Sequence, residues 1–163
     1  MKIITRYTLD ELTEQAVRGA RKRKNLNLHD NFADPCQRLF NAVEPSSYIR
    51  PHRHLDPPKP ECFMGIRGTV AVILFGGEGE IESIIALGQK SEVIAVDIPP
   101  GVWHGVVALT AGSIFFETKP GPYQQLQDKD FAPWAPPEGT IAAVDYLKEL
   151  NLLVAKQLNR AGH

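Results

Sequence analysis

Hydrophobic and polar positions recur with two different periods along the chain. Near the N-terminus, apolar residues occur every three or four positions from Leu9 to Ala20, which is helical spacing. Thr8 and Glu11 have the spacing of a capping box at the start of this stretch. The pattern therefore predicts a helix over about residues 9–23.

After residue 36 the pattern changes to short runs rich in β-branched and aromatic residues, separated by glycine and proline. Seven candidate strands follow one another with no helix between them: residues 39–43, 63–66, 70–75, 80–86, 92–98, 102–109 and 113–118. Short links such as 76–79 suit hairpins. We therefore predict a mainly β fold, an antiparallel sandwich or barrel, and not a parallel α/β sheet.

The positions of proline divide the chain into three segments of one domain. No proline precedes Pro35 and none follows Pro137. We predict a helical segment at 1–36, the β-barrel at 37–120, and a third segment at 121–163. In this last segment an extended, proline-bearing stretch wraps the core and a final helix begins near Thr140.

Composition narrows the class of protein. A chain of 163 residues with 43% hydrophobic and 23% charged residues is typical of one globular domain. The formal net charge of -1 argues against a general nucleic-acid binder. Cys36 and Cys62 are too few for a disulfide framework. The longest aliphatic run, residues 70–75, is far shorter than the roughly 20 residues that span a bilayer, and no signal peptide is evident. We expect a soluble cytoplasmic protein with no membrane partner.

Three histidines and one glutamate are spaced as metal ligands. His52 and His54 are two residues apart, so on a strand both imidazoles project from the same face. Glu61 follows beyond a proline-rich loop, and His104 follows a Pro-Gly turn. Three imidazoles and one carboxylate can hold a divalent first-row ion. An isolated His-x-His pair is more often surface or core decoration, but the ordered set favours a metal site.

This ordered set resembles the two cupin motifs. The matching positions are His52-x-His54, Glu61, Gly68 and Pro99-x-Gly101-x-x-His104. The resemblance implies a jelly-roll barrel, here with an N-terminal and a C-terminal helix, that holds one metal ion in its mouth. Two features depart from the family pattern: a longer loop between His54 and Glu61, and Val93 and Ala108 in place of the usual Gly and Asn. Because of the long loop, Asp56 is the alternative carboxylate ligand.

A wider similarity covers most of the chain. It involves residues 24–29, 34–39, 50–54, 106–109, 116–123 and 130–136. In these segments the sequence is similar to the WbuC-type cupin-fold metalloproteins, a family associated with polysaccharide and O-antigen gene clusters. The resemblance implies a fold and a metal more directly than a reaction.

Five residues are candidates for substrate binding. Arg21, Arg23 and Arg38 can grip a carboxylate or phosphate through two parallel hydrogen bonds. For Arg21 and Arg23 the alternative is a solvated basic helix end, suited to the helix dipole. His29 can reach the mouth or be a structural histidine, and Trp103 can form an aromatic wall or a packing anchor.

Glu117 and Lys119 are candidates for acid-base catalysis. On a strand they share one face with Phe115, so all three point into the barrel or all three point out. Inward-pointing Glu117 or Lys119 can act as an acid or base beside the ion. The alternative is a cross-strand ion pair at the barrel surface.

The donor set suits one divalent transition metal, Fe, Mn, Ni, Co or Zn, and does not select among them. The leading hypothesis is a metal-dependent enzyme acting on a small polar, anionic metabolite, such as a sugar or sugar nucleotide in surface-polysaccharide metabolism. Its reaction would be isomerisation or epimerisation by proton transfer beside a carbonyl. The alternatives are a metal-dependent dioxygenase and a non-catalytic metal- and sugar-binding sensor. We expect a homodimer on general grounds.

Overall fold

The computed structural model describes residues 1–123 and 130–161. Part of the predicted wrapping stretch, 124–129, and the last two residues lie outside the described residues. The described residues form two helices and ten strands. These are α1 (Arg6–Arg18), β1 (Arg23–Asn27), β2 (Cys36–Val43), β3 (His52–Arg53), β4 (Glu61–Arg67), β5 (Thr69–Phe75), β6 (Ile81–Gly88), β7 (Ala95–Ile98), β8 (Trp103–Ala108), β9 (Ser113–Pro120), β10 (Asp130–Phe131) and α2 (Ile141–Ala161).

The strands form two five-stranded sheets in which paired neighbours run antiparallel. One sheet has the order β1-β2-β9-β4-β7 and the other has the order β10-β3-β8-β5-β6. Each of the seven strands predicted from alternation corresponds to one observed strand, with shifted ends. The mainly β jelly-roll prediction is confirmed.

Strand β5 shows how the interior is built, because it is buried on both faces. Val70 and Val72 pack inside the barrel with Val106 of the neighbouring strand β8 and with Phe115 of the facing sheet. The alternate residues of β5 face outward and contact α2, where Leu147, Leu150 and Val154 are buried. A continuous apolar run is what a strand covered on both faces requires.

The two helices cover the outer faces of the two sheets. The α1 side chains Leu12 and Ala16 pack on Ala42 and Ile114 of the first sheet, and α2 packs on the second sheet. The start of α2 at Ile141 agrees with the prediction of a helix beginning near Thr140. Among the described residues, neither helix has both the length and the apolar character needed to span a membrane.

The predicted first helix is wrong at both ends. It begins at Arg6 instead of residue 9, and its N-cap is Thr5, whose hydroxyl accepts a hydrogen bond from the Thr8 backbone N–H at 3.2 Å. Thr8 is therefore the second member of the box and not the cap. The helix ends at Arg18, before Gly19.

The basic residues after Arg18 form a turn and a strand instead of a helix end. Lys22 adopts a left-handed backbone with φ of 54°, and β1 starts at the next residue. Strand β1 pairs with β2 from Arg23↔Val43 to Asn27↔Leu39. The segment predicted as helical, 1–36, thus contributes an edge strand to the barrel.

Candidate metal centre and the cavity above it

Three strands and the segment that follows the first of them bring the predicted ligands together at one end of the barrel. His52 of β3 lies directly opposite His104 of β8. His54 follows two residues after His52, and Glu61 opens β4. One potential ligand atom from each of the four residues lies within 4.8 Å of the others, and all four side chains are buried. Asp56, the alternative ligand, is exposed and is not part of the group.

Distances within the group match neighbouring positions on a metal ion. Glu61 Oε2 lies 2.9 Å from His104 Nε2, and Glu61 Oε1 lies 3.0 Å from His54 Nε2. Ligands held about 2.0–2.2 Å from one ion at right angles are separated by about 3 Å. The Glu61 carboxylate and the two imidazoles therefore have the spacing of a shared coordination sphere.

Backbone hydrogen bonds orient two of the rings toward the centre. Nδ1 of His104 lies 2.9 Å from the Val102 carbonyl oxygen, and Nδ1 of His52 lies 3.1 Å from the Arg50 carbonyl oxygen. A carbonyl only accepts, so each Nδ1 carries the proton and, in the neutral ring, each Nε2 carries a lone pair. A lone pair 2.9 Å from a carboxylate oxygen is repulsive unless a proton or a metal ion lies between them, and a proton there makes the His104 contact a hydrogen bond to Glu61. The group is compatible with a divalent metal ion.

A buried charge network supports Glu61. Lys119 Nζ lies 2.7 Å from Glu61 Oε1 and 2.9 Å from Glu117 Oε1, and the amide of Asn41 donates to Glu117 at 2.9 Å. Phe115, Glu117 and Lys119 all line the interior, which resolves the alternation in favour of the inward arrangement. The alternative, an ion pair of Glu117 and Lys119 at the barrel surface, is not observed. Both side chains point into the barrel, where Lys119 also pairs with the buried Glu61.

The network shifts the pKa values of its members. Burial acts to raise the pKa of Glu61, but the Lys119 charge and the hydrogen bonds from His104 and His54 outweigh it and hold that pKa well below its usual range. Burial acts to lower the pKa of Lys119, but the charges of Glu117 and Glu61 outweigh it and raise that pKa. Both groups are therefore charged at neutral pH.

A cavity of about 630 Å³ opens above the group. Its floor is apolar and includes Phe63, Val106 and Phe115 from the barrel core. Five cationic side chains and three carboxylates line it among the described residues: Arg21, Arg23, Lys24, Arg50 and Lys119 against Glu61, Glu117 and Glu138. The excess positive charge favours an anionic ligand.

Arg21 and Arg23 line this cavity, but Glu138 already pairs with both. Arg21 Nε donates to Glu138 Oε1 at 2.7 Å and Arg23 Nη2 donates to Glu138 Oε2 at 2.7 Å. Arg23 also donates to the Tyr48 carbonyl at 2.8 Å, and its side chain is only 12% exposed. Arg23 thus ties β1 to the chain before α2, whereas Arg21 is 65% exposed.

Of the remaining three residues predicted to bind substrate, one lines the cavity and two do not. His29 lines the cavity and is 6% exposed. Arg38 does not line it, and its guanidinium pairs with Asp34 at 3.3 Å. Trp103 lies outside the cavity, where it packs with Trp134 on the α2 side and holds the Arg53 guanidinium 4.2 Å from its ring centre. Trp103 directly precedes His104, so the alternation of side chains along β8 places the two on opposite faces.

Several lining residues were not predicted. Asn25 and Asn27 lie between Arg23 and His29 on one face of β1, and Arg50 precedes His52 by two residues. In both cases the sequence shows the two-residue spacing of strand positions that share a face, which could have predicted these residues. The prediction of a helix that continues to about residue 23 hid the first set.

Two antiparallel sheets rolled around an apolar core, with three histidines and a glutamate at one mouth, have the architecture of the cupin jelly-roll fold. A family model described as "Domain of unknown function (DUF6016)" matches residues 4–87, just over half of the chain. The chain therefore belongs to this family. No curated protein matches the sequence.

Solved structures share the fold at low sequence identity. Oxalate decarboxylase from Bacillus subtilis superposes with a TM-score of 0.51 at 16% identity, covering 67% of this chain and 27% of its own. Oxalate oxidase in complex with glycolate gives 0.53 at 13%, covering 86% and 76%. Protein SO0799 from Shewanella oneidensis gives 0.56 at 11%, covering 90% and 94%. This chain spans about a quarter of the length of the decarboxylase, and these likenesses concern the fold alone.

Proposed function

We propose that the protein is a metal-dependent enzyme that acts on a small polar anion. The observation that carries this proposal is the group of His52, His54, Glu61 and His104, two of whose members, His52 and Glu61, line a cavity with excess positive charge. The oxalate decarboxylase and the oxalate oxidase act on a small anion by name, which is consistent with such a ligand. One decarboxylase structure is described with Mn(II) centres, so manganese is one of the candidate ions.

The proposed reaction is isomerisation or epimerisation by proton transfer beside a carbonyl. A divalent ion bound by the four residues would polarise that carbonyl and acidify the neighbouring C–H bond. Glu117 lines the cavity, and its carboxylate is oriented by Asn41 and Lys119. We assign Glu117 as the group that accepts the proton. Lys119 is charged and lies between Glu117 and Glu61, where it holds both carboxylates in place.

The finer proposals concern the substrate and the setting. A sugar or sugar nucleotide of surface-polysaccharide metabolism is supported by the WbuC-type resemblance and by the many hydrogen-bonding side chains in the cavity. Location in the cytoplasm and assembly as a homodimer remain predictions. Sedimentation of the purified protein would test the dimer.

Solvent exchange tests the reaction across a panel of compounds of the proposed substrate class. Metal-loaded protein is incubated in D₂O with aldoses, ketoses and sugar nucleotides, and loss of carbon-bound protons is followed by NMR. We expect exchange in at least one compound and its loss in Glu117→Gln. Glu82→Gln, which changes an exposed carboxylate on β6, is the matched control and should retain exchange. Oxygen consumption with Fe(II) in the absence of exchange would contradict the assignment and favour the dioxygenase.

A further inference from the structure

One face of the edge strand β1 is polar along its whole length. Arg23, Asn25, Asn27 and His29 occupy every second position, and all four line the cavity. Residues two apart on a strand are separated by about 6.7 Å, so the three positions on β1 extend over about 13 Å, and His29 follows two residues beyond the end of the strand. Asn25 and Asn27 are exposed, as polar residues usually are, and Arg23 is half-buried. The buried member of the row, His29, is the one whose polarity needs an explanation.

His29 gives independent evidence for a ligand at the far end of the row. Its Nδ1 lies 3.0 Å from the Arg38 backbone nitrogen and 3.1 Å from the Arg38 carbonyl oxygen. Because that carbonyl already accepts from the Leu28 N–H at 2.8 Å, the neutral tautomer that satisfies more groups has Nδ1 accepting from the Arg38 N–H and the proton on Nε2. Among the described residues, Nε2 has no hydrogen-bond partner. His29 is nevertheless buried, with an exposed fraction of only 6%. A buried N–H without a partner is costly, and an acceptor atom of a bound ligand would satisfy it.

Strand pairing places this donor well away from the metal centre. Next to His29, Leu28 N–H donates to the Arg38 carbonyl. On the following strands Gln37 lies opposite Lys119, and Lys119 reaches Glu61. His29 and Glu61 are therefore separated by three strand spacings of about 4.8 Å, or about 14 Å along the sheet. A two-carbon acid bound at the metal centre is far shorter than this backbone separation.

We propose that His29 is a specificity-determining residue that donates a hydrogen bond from Nε2 to an extended ligand. The inference rests on the proposed function, because it takes the other end of that ligand to be bound at the metal centre. The ligand is a hydroxyl-bearing anion of about six carbons, its charge supplied by a carboxylate or a phosphate. Asn25 and Asn27 suit its hydroxyl groups, because an amide both donates and accepts.

Calorimetric titration of the metal-loaded protein with three probes tests this assignment. Glucuronate and glucose 6-phosphate carry the two kinds of charge on a six-carbon frame, whereas glycolate reaches only the metal centre. We expect at least one six-carbon anion to bind about tenfold or more tightly than glycolate. His29→Ala should weaken that anion by about tenfold, the effect of losing one hydrogen bond to a charged group, and should leave glycolate affinity and metal content unchanged.

Further variants separate a binding role from a structural one. His29→Gln retains an N–H donor and should recover part of the lost affinity. Asn27→Ala, on an exposed position of the row, should weaken the six-carbon anion by about threefold, while Asn159→Ala on the exposed side of α2 should have no effect. Equal affinity for all three probes, or a His29→Ala variant that binds them like the wild type, would overturn the assignment. Absence of bound metal or of glycolate binding would instead overturn the proposed function.

Discussion

Replacing Lys119 by methionine tests the buried charge network directly. The substitution keeps the length of the side chain and removes an ammonium that lies 2.7 Å from Glu61 and 2.9 Å from Glu117. The exposed fractions of the Lys119 and Glu61 side chains are 6% and 2%, so the pair is largely shielded from water. Removing one member of a buried ion pair typically costs about 3–5 kcal/mol. We expect a destabilisation of this size in the metal-free protein.

The effect should depend on metal, because a divalent ion bound to Glu61 supplies the missing positive charge. With excess metal, the difference in unfolding free energy between Lys119→Met and wild type should shrink, and the variant should bind the ion more tightly. Urea unfolding followed by the fluorescence of Trp103 and Trp134, with chelator and with metal, measures both values. Lys148→Met removes an exposed pair with Asp145 and should change stability little in either condition.

Two results would refute this reasoning. A loss below about 1 kcal/mol in the chelator would mean that Glu61 and Glu117 do not depend on Lys119, since even an ordinary hydrogen bond contributes about that much. An equal loss with and without metal would mean that the ion and Lys119 do not act on the same carboxylate.

Three further predictions concern the helices, the Glu138 contact and the ligands. Leu150→Ala should destabilise the protein by about 2–4 kcal/mol, because it leaves a cavity between α2 and its sheet, and should not change the metal content. A loss of metal would contradict the separation of the α2 interface from the metal centre. Burial acts to raise the pKa of Glu138, but hydrogen bonds from Arg21 and Arg23 outweigh it and lower that pKa. The resulting stability is therefore present above the unfolded pKa of Glu138 and is lost as pH falls through the lower folded value. Thermal melts of Glu138→Gln should show a deficit at neutral pH that disappears in acid, and a deficit independent of pH would contradict this sign. His52→Ala and His104→Ala should each lose bound metal by elemental analysis while keeping the β circular-dichroism spectrum; retention of full metal occupancy in both would contradict their role as ligands.

The β architecture was predictable because its strands carry strong alternation or continuous apolar runs. The N-terminal boundary was not, because Thr5-to-Thr8 and Thr8-to-Glu11 both have capping spacing. Either cap leaves Leu12 and Ala16 on the buried face, so the hydrophobic pattern could not choose between them. The start of β1 depends on the turn at Gly19–Lys22, which pairing with β2 stabilises. Such pairing between distant segments is not visible in the local sequence.

The candidate ligands were predictable because motif spacing and strand periodicity agree for His52, His54 and His104. The direction in which the Lys119 side chain points was not predictable. Alternation shows that Phe115, Glu117 and Lys119 share one face of the strand but does not show whether that face lies inside the barrel. Periodicity alone could have placed Trp103 opposite His104. The choice between Glu61 and Asp56 depended on where the loop between them places each carboxylate relative to the histidines, and local sequence does not show that long-range placement.

The most direct measurement of the central claim is an anomalous-difference map from a crystal of the protein purified without an affinity tag, recorded at the absorption edge of its bound metal. We predict one peak about 2.0–2.2 Å from Nε2 of His52, His54 and His104 and from a carboxylate oxygen of Glu61. A metal-replete crystal whose anomalous peaks all lie away from these four side chains would contradict the account.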